Sequence, residues 1–296
     1  CAAIVGPYLS GKTTLLEALL DTCSAIHRRG NVKDGTTVGD PSPEARRRNM
    51  SIEISAAHGE FLDERWTFLD CPGSIEFQGE ARSALMVADI AIVVVDPDPD
   101  RALVVGPLLH FLNAKDIPHM IFINKVDHPH VPVQDVLESL QGVSRKPLIL
   151  RHVPIRNGDN IEGYVDLVSE RAYSYKPGEK SALIEIPTDM QELNEQARQE
   201  LLEELSNFDD ELLEQLLEDT IPPKDEIYGY LTKDLRNNAV VPVFIGAAEQ
   251  DHGVRQVNKQ AHNLFGVYSY TISPEHLEEY IHSSNSLSTV YRLTSP

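Results

Sequence analysis

The chain of 296 residues has little of what marks secreted or membrane proteins. Its three cysteines, Cys1, Cys23 and Cys71, have neither the even number of a disulfide framework nor the spacing of a metal site. No apolar run reaches the roughly 18 residues of a membrane-spanning helix, and no signal peptide is recognisable. We therefore expect a protein of the reducing cytoplasm that makes no membrane contact. Because the chain starts at Cys1 directly on a predicted strand, we expect it to be part of a longer protein.

Basic residues are scarce. The chain has 26 Lys and Arg against 46 Asp and Glu, which gives a formal charge of −20. From Asp189 to Glu226 there are fourteen acidic side chains, and Arg198 and Lys224 are the basic ones. An acidic surface repels nucleic-acid phosphates, so we expect no direct nucleic-acid binding by this chain. Histidines such as His252 are scattered without metal-ligand spacing, and we expect them at the surface.

A phosphate-binding pattern follows the apolar run from Ala2 to Val5. Glycines let the backbone turn its N–H groups towards an anion, and a helix N-terminus favours negative charge. Lys12 adds a positive charge near the β and γ phosphates, and the Thr13 hydroxyl suits Mg²⁺. The alternative is a strand-to-helix turn without a ligand. The predicted nucleotide-binding residues of this loop are Gly6, Ser10, Gly11, Lys12, Thr13 and Thr14.

A second pattern, Asn124-Lys125-Val126-Asp127, follows the apolar run from Met120 to Ile123. The Asp127 carboxylate can accept hydrogen bonds from N1–H and the 2-amino group of guanine, a donor pair that adenine lacks. Asn124 can contact the base edge, and the Lys125 stem can lie along the base face. Taken alone, these four residues fit an ordinary polar loop. Downstream of a phosphate loop, they predict GTP as the ligand and argue against an enzyme that uses ATP.

Between these patterns, the apolar run from Trp66 to Leu69 predicts a strand that ends at Asp70. At the carboxyl edge of a parallel sheet, Asp70 can hold Mg²⁺ through water. The N–H of Gly73 can sense a γ-phosphate. The sequence thus predicts two cofactors, GTP and Mg²⁺.

Alternating strands and helices predict an α/β fold, a P-loop GTPase domain with a mostly parallel sheet and helices on both faces. We assign residues 1–144 and 237–258 to this domain, with a helix predicted from Arg101 to Leu112. Residues 145–236 are predicted to form an inserted α+β subdomain. Its first strands are Pro147 to Ile155 and Ile161 to Val168, turning at Asn157-Gly158-Asp159. Residues 259–296 stay unassigned, with a short helix predicted from Pro274 to Ile281.

Three stretches resemble the translation GTPases, and specifically elongation factor G and its paralogues. Asp70 to Phe77 is similar to the family's Asp-Thr-Pro-Gly-His-Val-Asp-Phe, and Arg48 to Ile52 to its Arg-Gly-Ile-Thr-Ile. Val241 to Ala248 is similar to its last guanine-contacting strand and loop. The long interval from Asp127 to Gly246 matches the family's inserted subdomain. The resemblance covers roughly residues 1 to 255, all within the first domain of the family.

This resemblance implies roles for further residues. Ser51 would be the switch residue that ligates Mg²⁺, so that the expected metal ligands are Thr13, Ser51 and Asp70. Ala248, next to Ala247, would offer its N–H to guanine O6. The expected catalytic residues are Lys12, Ser51 and Gly73. The expected partner of this monomer is the ribosome. The resemblance also offers the acidic insert as a contact for the stalk protein, and the alternative is a solvated acidic surface without a partner.

Two departures from the family concern hydrolysis. The family's water-orienting histidine is Ser74 here, and the acidic residue of its phosphate loop is Leu9. Phosphoryl transfer depends on positioning and charge stabilisation, and loss of a water-orienting residue slows it. Two functions therefore stay open: a ribosome-linked GTPase of elongation and translocation, and a GTP-binding regulatory module with weak or no hydrolysis.

Overall fold

The computed structural model describes residues 1–39, 42–48, 50–176, 179–218 and 220–265, with backbone alone for 179–180 and 262–265. Most of the unassigned tail lies outside these residues, including the helix predicted from Pro274 to Ile281. Residues 1–264 form one compact unit.

A seven-stranded sheet carries the first part of the fold. Its strand order is β2-β3-β1-β4-β5-β11-β6, and only the edge pair β2–β3 is antiparallel. The central strands β1, β4, β5 and β11 are buried along their whole length, as expected of parallel strands covered on both faces. The strands are β1 (Ala2–Val5), β2 (Ser55–Phe61), β3 (Glu64–Asp70), β4 (Ile90–Val95), β5 (His119–Ile123), β6 (Leu148–Leu150) and β11 (Val241–Ile245).

Helices flank this sheet. Alternate strand residues such as Ala3, Val5 and Val93 form one apolar cluster with residues of α3, α5 and α6. Helix α1 packs instead against β1, β2 and β3. The predicted mostly parallel sheet with flanking helices is thereby confirmed. The helices are α1 (Lys12–Thr22), α2 (Pro43–Arg48), α3 (Gln78–Leu85), α4 (Pro99–Ala102), α5 (Gly106–Ala114), α6 (Val133–Val143) and α10 (Val254–Phe265).

The prediction of one continuous helix from Arg101 to Leu112 is wrong, because this range contains parts of two helices. Helix α4 begins at Pro99, where the Asp98 carboxylate caps the N–H groups of Asp100 and Arg101. A short 3₁₀ turn then leads into α5, which carries Pro107 in its first turn. A proline cannot donate a backbone hydrogen bond, so it favours a new helix start at this point.

A four-stranded antiparallel sheet forms the additional subdomain, in the order β10-β9-β8-β7. Its strands are β7 (His152–Asn157), β8 (Asn160–Asp166), β9 (Arg171–Lys176) and β10 (Glu179–Ile184). The predicted hairpin is confirmed, because β7 and β8 pair up to Asn157 and Asn160.

The single strand predicted from Pro147 to Ile155 is wrong. Residues Leu148–Leu150 pair with β11 in the large sheet, whereas the chain from His152 onwards belongs to the small sheet. Arg151 lies between the two strands and is fully buried. Its guanidinium donates to Gln260 Oε1 at 2.8 Å and lies 3.5 Å from Asp166 Oδ1. A buried charge needs such partners, and they hold the crossing point in place.

Three helices cover the small sheet, and the first two of them are acidic. They bury leucines and isoleucines such as Leu202, Leu205 and Ile227 against Val153 and Val165. The helices are α7 (Gln191–Ser206), α8 (Asp210–Leu217) and α9 (Lys224–Arg236). The subdomain therefore packs on an apolar core to which Ile149 of β6 also contributes, and its first two helices give it an acidic outer surface. In the part of the chain that the structure describes, none of the α-helices has both the length and the apolar composition of a membrane span.

Candidate functional site

The loop from Gly6 to Thr13 joins β1 to α1 in a backbone conformation that needs positive φ angles. Gly6 has φ 144°, Leu9 has φ 66° and Gly11, the N-cap of α1, has φ 92°. A Cβ atom on Gly11 would overlap the side-chain amide of Asn124. The glycine is thus required both by the turn and by the close approach of the neighbouring loop. The first N–H groups of α1 face this loop, which suits an anion.

Lys12 and Gly73 lie side by side, as expected of residues that meet the same phosphate. The Lys12 ammonium donates to Pro7 O at 2.8 Å, and a Cβ atom on Gly73 would collide with the same ammonium. Lys12 is buried with only 6% of its surface exposed. Burial makes the charge strong towards a bound anion, because little water screens it.

The three predicted metal ligands converge. Thr13 Oγ1 donates to Asp70 Oδ2 at 2.6 Å and lies 3.3 Å from Ser51 Oγ. Asp70 stands at the carboxyl end of β3, and Thr13 lies in the first turn of α1. Two hydroxyls and one carboxylate form an all-oxygen donor set, which is the kind that Mg²⁺ prefers. The residues present therefore fit a magnesium ion.

Asn124 joins two loops. Its Nδ2 donates to Ser10 O at 2.9 Å, and its Oδ1 accepts from the N–H of Ala248 at 2.9 Å. The sequence predicted a contact between this side chain and the base. In the structure both of its polar atoms bond to backbone, so Asn124 holds the phosphate loop against the Ala247–Ala248 loop.

Lys125 reaches the outer side of the phosphate loop, where two charged residues missed by the sequence reasoning support it. Its ammonium donates to Leu9 O at 2.5 Å and to Asp96 Oδ1 at 2.6 Å. Arg101 pairs with Asp96 at 2.7 Å and donates to Tyr8 O at 2.8 Å. The buried carboxylate of Asp96 thus orients the Lys125 ammonium and the Arg101 guanidinium towards two consecutive backbone carbonyls of the phosphate loop. Asp96 could have been predicted as a site residue from the sequence, because it directly follows the buried strand β4.

An open pocket lies beside Asn124 and Lys125. The pocket brings together predicted nucleotide-binding residues from the phosphate loop, from the loop after β5 and from the loop after β11. The lining includes Gly11, Thr14, Asn124, Lys125, Asp127, Ala247 and Ala248.

The position of His252 corrects the surface placement expected for it. Only 5% of its surface is exposed, and its ring stacks on Tyr175 of β9 with centroids 4.0 Å apart. Its backbone N–H and C=O both bond to Ala247, each at 3.0 Å. Burial lowers the pKa of His252 below its ordinary value, which favours the neutral ring. The loop that carries Ala247 and Ala248 is therefore braced by the additional subdomain.

Cys71 lies next to Asp70 but is fully buried, and its Sγ lies 3.6 Å from Leu69 O. Burial raises the pKa of this thiol well above its ordinary value, because a desolvated thiolate is costly. We expect iodoacetamide at pH 8 to label Cys71 only after the chain is unfolded in urea. Peptide mass spectrometry of native and unfolded samples measures this. Labelling of Cys71 in the folded chain would contradict the burial seen here.

Comparison with known proteins decides the family. A model of the elongation factor Tu GTP-binding domain matches residues 1–267. The chain belongs to this family. The match runs beyond residue 255, where the resemblance seen in the sequence ended.

The relatives of this GTP-binding domain are elongation factors. The elongation factor G-like protein of Synechocystis sp. is 49% identical over 253 residues, which cover 86% of this chain and 38% of the relative. Elongation factor G of Salinibacter ruber is 30% identical over 276 residues, covering 90% of this chain and 37% of that protein. A crystal structure of a protein from Thermus thermophilus superimposes with a TM-score of 0.76 at 31% identity, covering 89% of this chain and 39% of that one.

The chain thus spans about two fifths of the length of these relatives. It is a GTP-binding domain of the elongation factor G-like translation GTPases, and the assignment to elongation factor G and its paralogues is confirmed.

Proposed function

We propose that this domain binds GTP with Mg²⁺ and hydrolyses it to GDP and phosphate, as part of a factor that drives ribosomal elongation and translocation. The observation that carries this proposal is the convergence of Thr13, Ser51 and Asp70 beside the buried Lys12. Hydroxyl and carboxylate oxygens, a buried ammonium and a helix N-terminus are the groups that a magnesium–triphosphate complex requires.

The phosphate loop holds the β and γ phosphates. Gly6, Ser10 and Gly11 shape the loop so that its N–H groups and those of Thr13 and Thr14 point at the phosphate oxygens. Thr13, Ser51 and Asp70 would hold Mg²⁺, which would supply positive charge beside the phosphates.

The pocket beside Asp127 takes the guanine base. The Asp127 carboxylate accepts from N1–H and the 2-amino group, and the aliphatic stem of Lys125 lies along the base. Asn124 acts on the base through the loop that it holds. Ala247 and Ala248 line the side of the pocket that would face guanine O6. The N–H of Ala248 donates to Asn124 Oδ1 in the structure, so the O6 contact expected of it requires this N–H to be shared.

Lys12, Ser51 and Gly73 carry catalysis by positioning and charge. Lys12 stabilises the negative charge that develops on the transferred phosphoryl group, and the N–H of Gly73 donates to a γ-phosphate oxygen. The hydroxyl of Ser51 would help to hold Mg²⁺ next to the transferred phosphoryl group. The covalent chemistry needs little else from the protein.

The outer surface of α7 and α8 suits a contact with the ribosomal stalk protein. It is acidic, and Leu193, Leu213 and Leu217 are exposed on it. A basic, partly apolar partner surface would complement it. We place the protein in the cytoplasm, acting as a monomer on the ribosome, as suits a translation factor whose relatives are elongation factors.

A GTP-binding regulatory module with weak or no hydrolysis is the second candidate, favoured by Ser74. The hydroxyl of Ser74 donates to Glu76 Oε2 at 2.8 Å, so it is engaged within its own turn. A serine also lacks the reach of the family's histidine towards an attacking water.

Single-turnover GTP hydrolysis with and without ribosomes separates the two candidates, using the chain and its Ser74→His variant. We expect slow hydrolysis by the chain that ribosomes accelerate, and a gain of about tenfold or more in the variant, because general acid–base and water-orienting groups contribute at least that much. Hydrolysis by the variant alone would favour the regulatory module.

A further inference from the structure

Glu17 is a buried carboxylate that the proposed nucleotide chemistry does not use. It lies in the middle of α1, and only 1% of its surface is exposed. Its two oxygens accept from different parts of the backbone: Oε2 from the N–H of Gly30 at 2.7 Å, and Oε1 from the N–H of Val38 at 2.5 Å. A buried carboxylate is costly unless it is hydrogen-bonded. These two bonds therefore tie both ends of one segment, the 30–38 loop, to α1.

The 30–38 loop is closed on itself between the two tied ends. The N–H of Thr36 donates to Asn31 O at 3.2 Å, and the N–H of Asn31 donates to Thr36 Oγ1 at 2.9 Å. A Cβ atom on Gly30 would overlap the backbone of Thr36 and Thr37. The loop is thus folded as a unit, and Glu17 holds it at the place where its two ends meet.

Gly39, the residue that follows the 30–38 loop, lies close to the predicted metal ligands Thr13 and Asp70. Thr37 Oγ1 donates to Gly39 O at 2.7 Å, which fixes the chain after the loop. A Cβ atom on Gly39 would lie 3.1 Å from Thr13 Cγ2 and 3.3 Å from Asp70 Oδ2. Glu17 is one helical turn after Thr13, on the same face of α1. One helix face therefore carries a metal ligand and the residue that holds the neighbouring loop.

We propose that Glu17 is a positioning residue, which ties the 30–38 loop to the phosphate-binding helix and so keeps Gly39 against the Thr13–Asp70 pair when Mg²⁺ and GTP bind. This inference rests on the proposed function. The two oxygens of a carboxylate are both acceptors, and both are needed here. A glutamine has one acceptor oxygen, so its NH₂ group would face one of the two backbone N–H groups.

The test is the Mg²⁺ dependence of GTP binding by Glu17→Gln. Fluorescent GTP is titrated at increasing Mg²⁺, and its affinity is also measured in EDTA. We expect the Mg²⁺ concentration at half-saturation to rise about tenfold, the effect of losing one hydrogen bond to a buried charge. The affinity in EDTA should change by less than about twofold, because the phosphate loop and the base pocket are untouched.

Thr22→Val is the matched control. Its hydroxyl donates to Ala18 O at 2.9 Å within the same helix. The variant removes one hydrogen bond from α1, and it should leave the Mg²⁺ dependence unchanged. A purely structural role of Glu17 would lower the melting temperature without moving the Mg²⁺ midpoint.

The possible results separate the inference from the function. If folded Glu17→Gln binds GTP with the Mg²⁺ dependence of the unmodified chain, the positioning role is refuted and the GTP site stands. If the unmodified chain binds no GTP, both are refuted. If Glu17→Gln does not fold, amide hydrogen exchange of the unmodified chain decides. Slow exchange at both Gly30 and Val38 supports the tie, and fast exchange at either amide overturns it.

Discussion

Lys12→Ala is expected to lose GTP affinity by about a hundredfold or more, which is about 2.7 kcal/mol of binding free energy. The buried ammonium of Lys12 stands at the N-terminus of α1, beside Gly73. Its position makes it the charge closest to where the β and γ phosphates sit in the proposed complex. An alanine leaves the loop and the helix in place but removes this charge from a poorly screened site.

Equilibrium titration with fluorescent GTP measures the effect, and Lys115→Ala serves as the control. Lys115 is an exposed lysine at the end of α5, so its loss changes the net charge equally. The control should bind GTP like the unmodified chain. Retained affinity in Lys12→Ala would refute the phosphate-loop assignment, provided that the variant melts at the same temperature.

Asp127→Asn is expected to reverse the base preference of the site. The amide replaces one acceptor oxygen with an NH₂ donor, which suits the extra carbonyl of xanthine and opposes the 2-amino group of guanine. We expect GTP affinity to fall by about a hundredfold and xanthosine triphosphate to become the better ligand. Asp127 is exposed in the structure, and a bound base would cover it, so an unpaired polar group there would cost about 1–3 kcal/mol on each side of the exchange.

Competition against fluorescent GTP with GTP, ATP and xanthosine triphosphate measures this reversal. Asp135→Asn, an exposed acidic position in the first turn of α6, is the matched control and should keep the preference for GTP. Displacement of GTP by ATP at similar concentrations in the unmodified chain would refute the guanine assignment itself.

The central strands could be read from the sequence because local patterns determine them. Runs such as Ile90–Val95 and His119–Ile123 are short and apolar and contain β-branched residues, which favours buried parallel strands between helices. The phosphate loop and Asp70 were predictable for a related reason. Parallel strands bring their carboxyl ends to one edge of the sheet, so residues that follow separate strands meet there.

Features that depend on contacts between distant segments could not be read in this way. Nothing near Asn124 indicates that its amide bonds to Ser10 and Ala248. The burial of His252 follows from a strand in the additional subdomain that stacks Tyr175 on it. The break at Arg151 was hidden as well, because the apolar residues on both sides suit one strand or two.

That break at Arg151 makes the boundary between the two sheets unusually short. One residue of extended chain spans about 3.3 Å, so the small sheet has no slack with which to swing on this strand. A displacement of the small sheet would act through Arg151 on β6, which is hydrogen-bonded to β11. The carboxyl end of β11 leads to Ala247. On this strand the small sheet is therefore joined to the nucleotide-binding sheet through one residue.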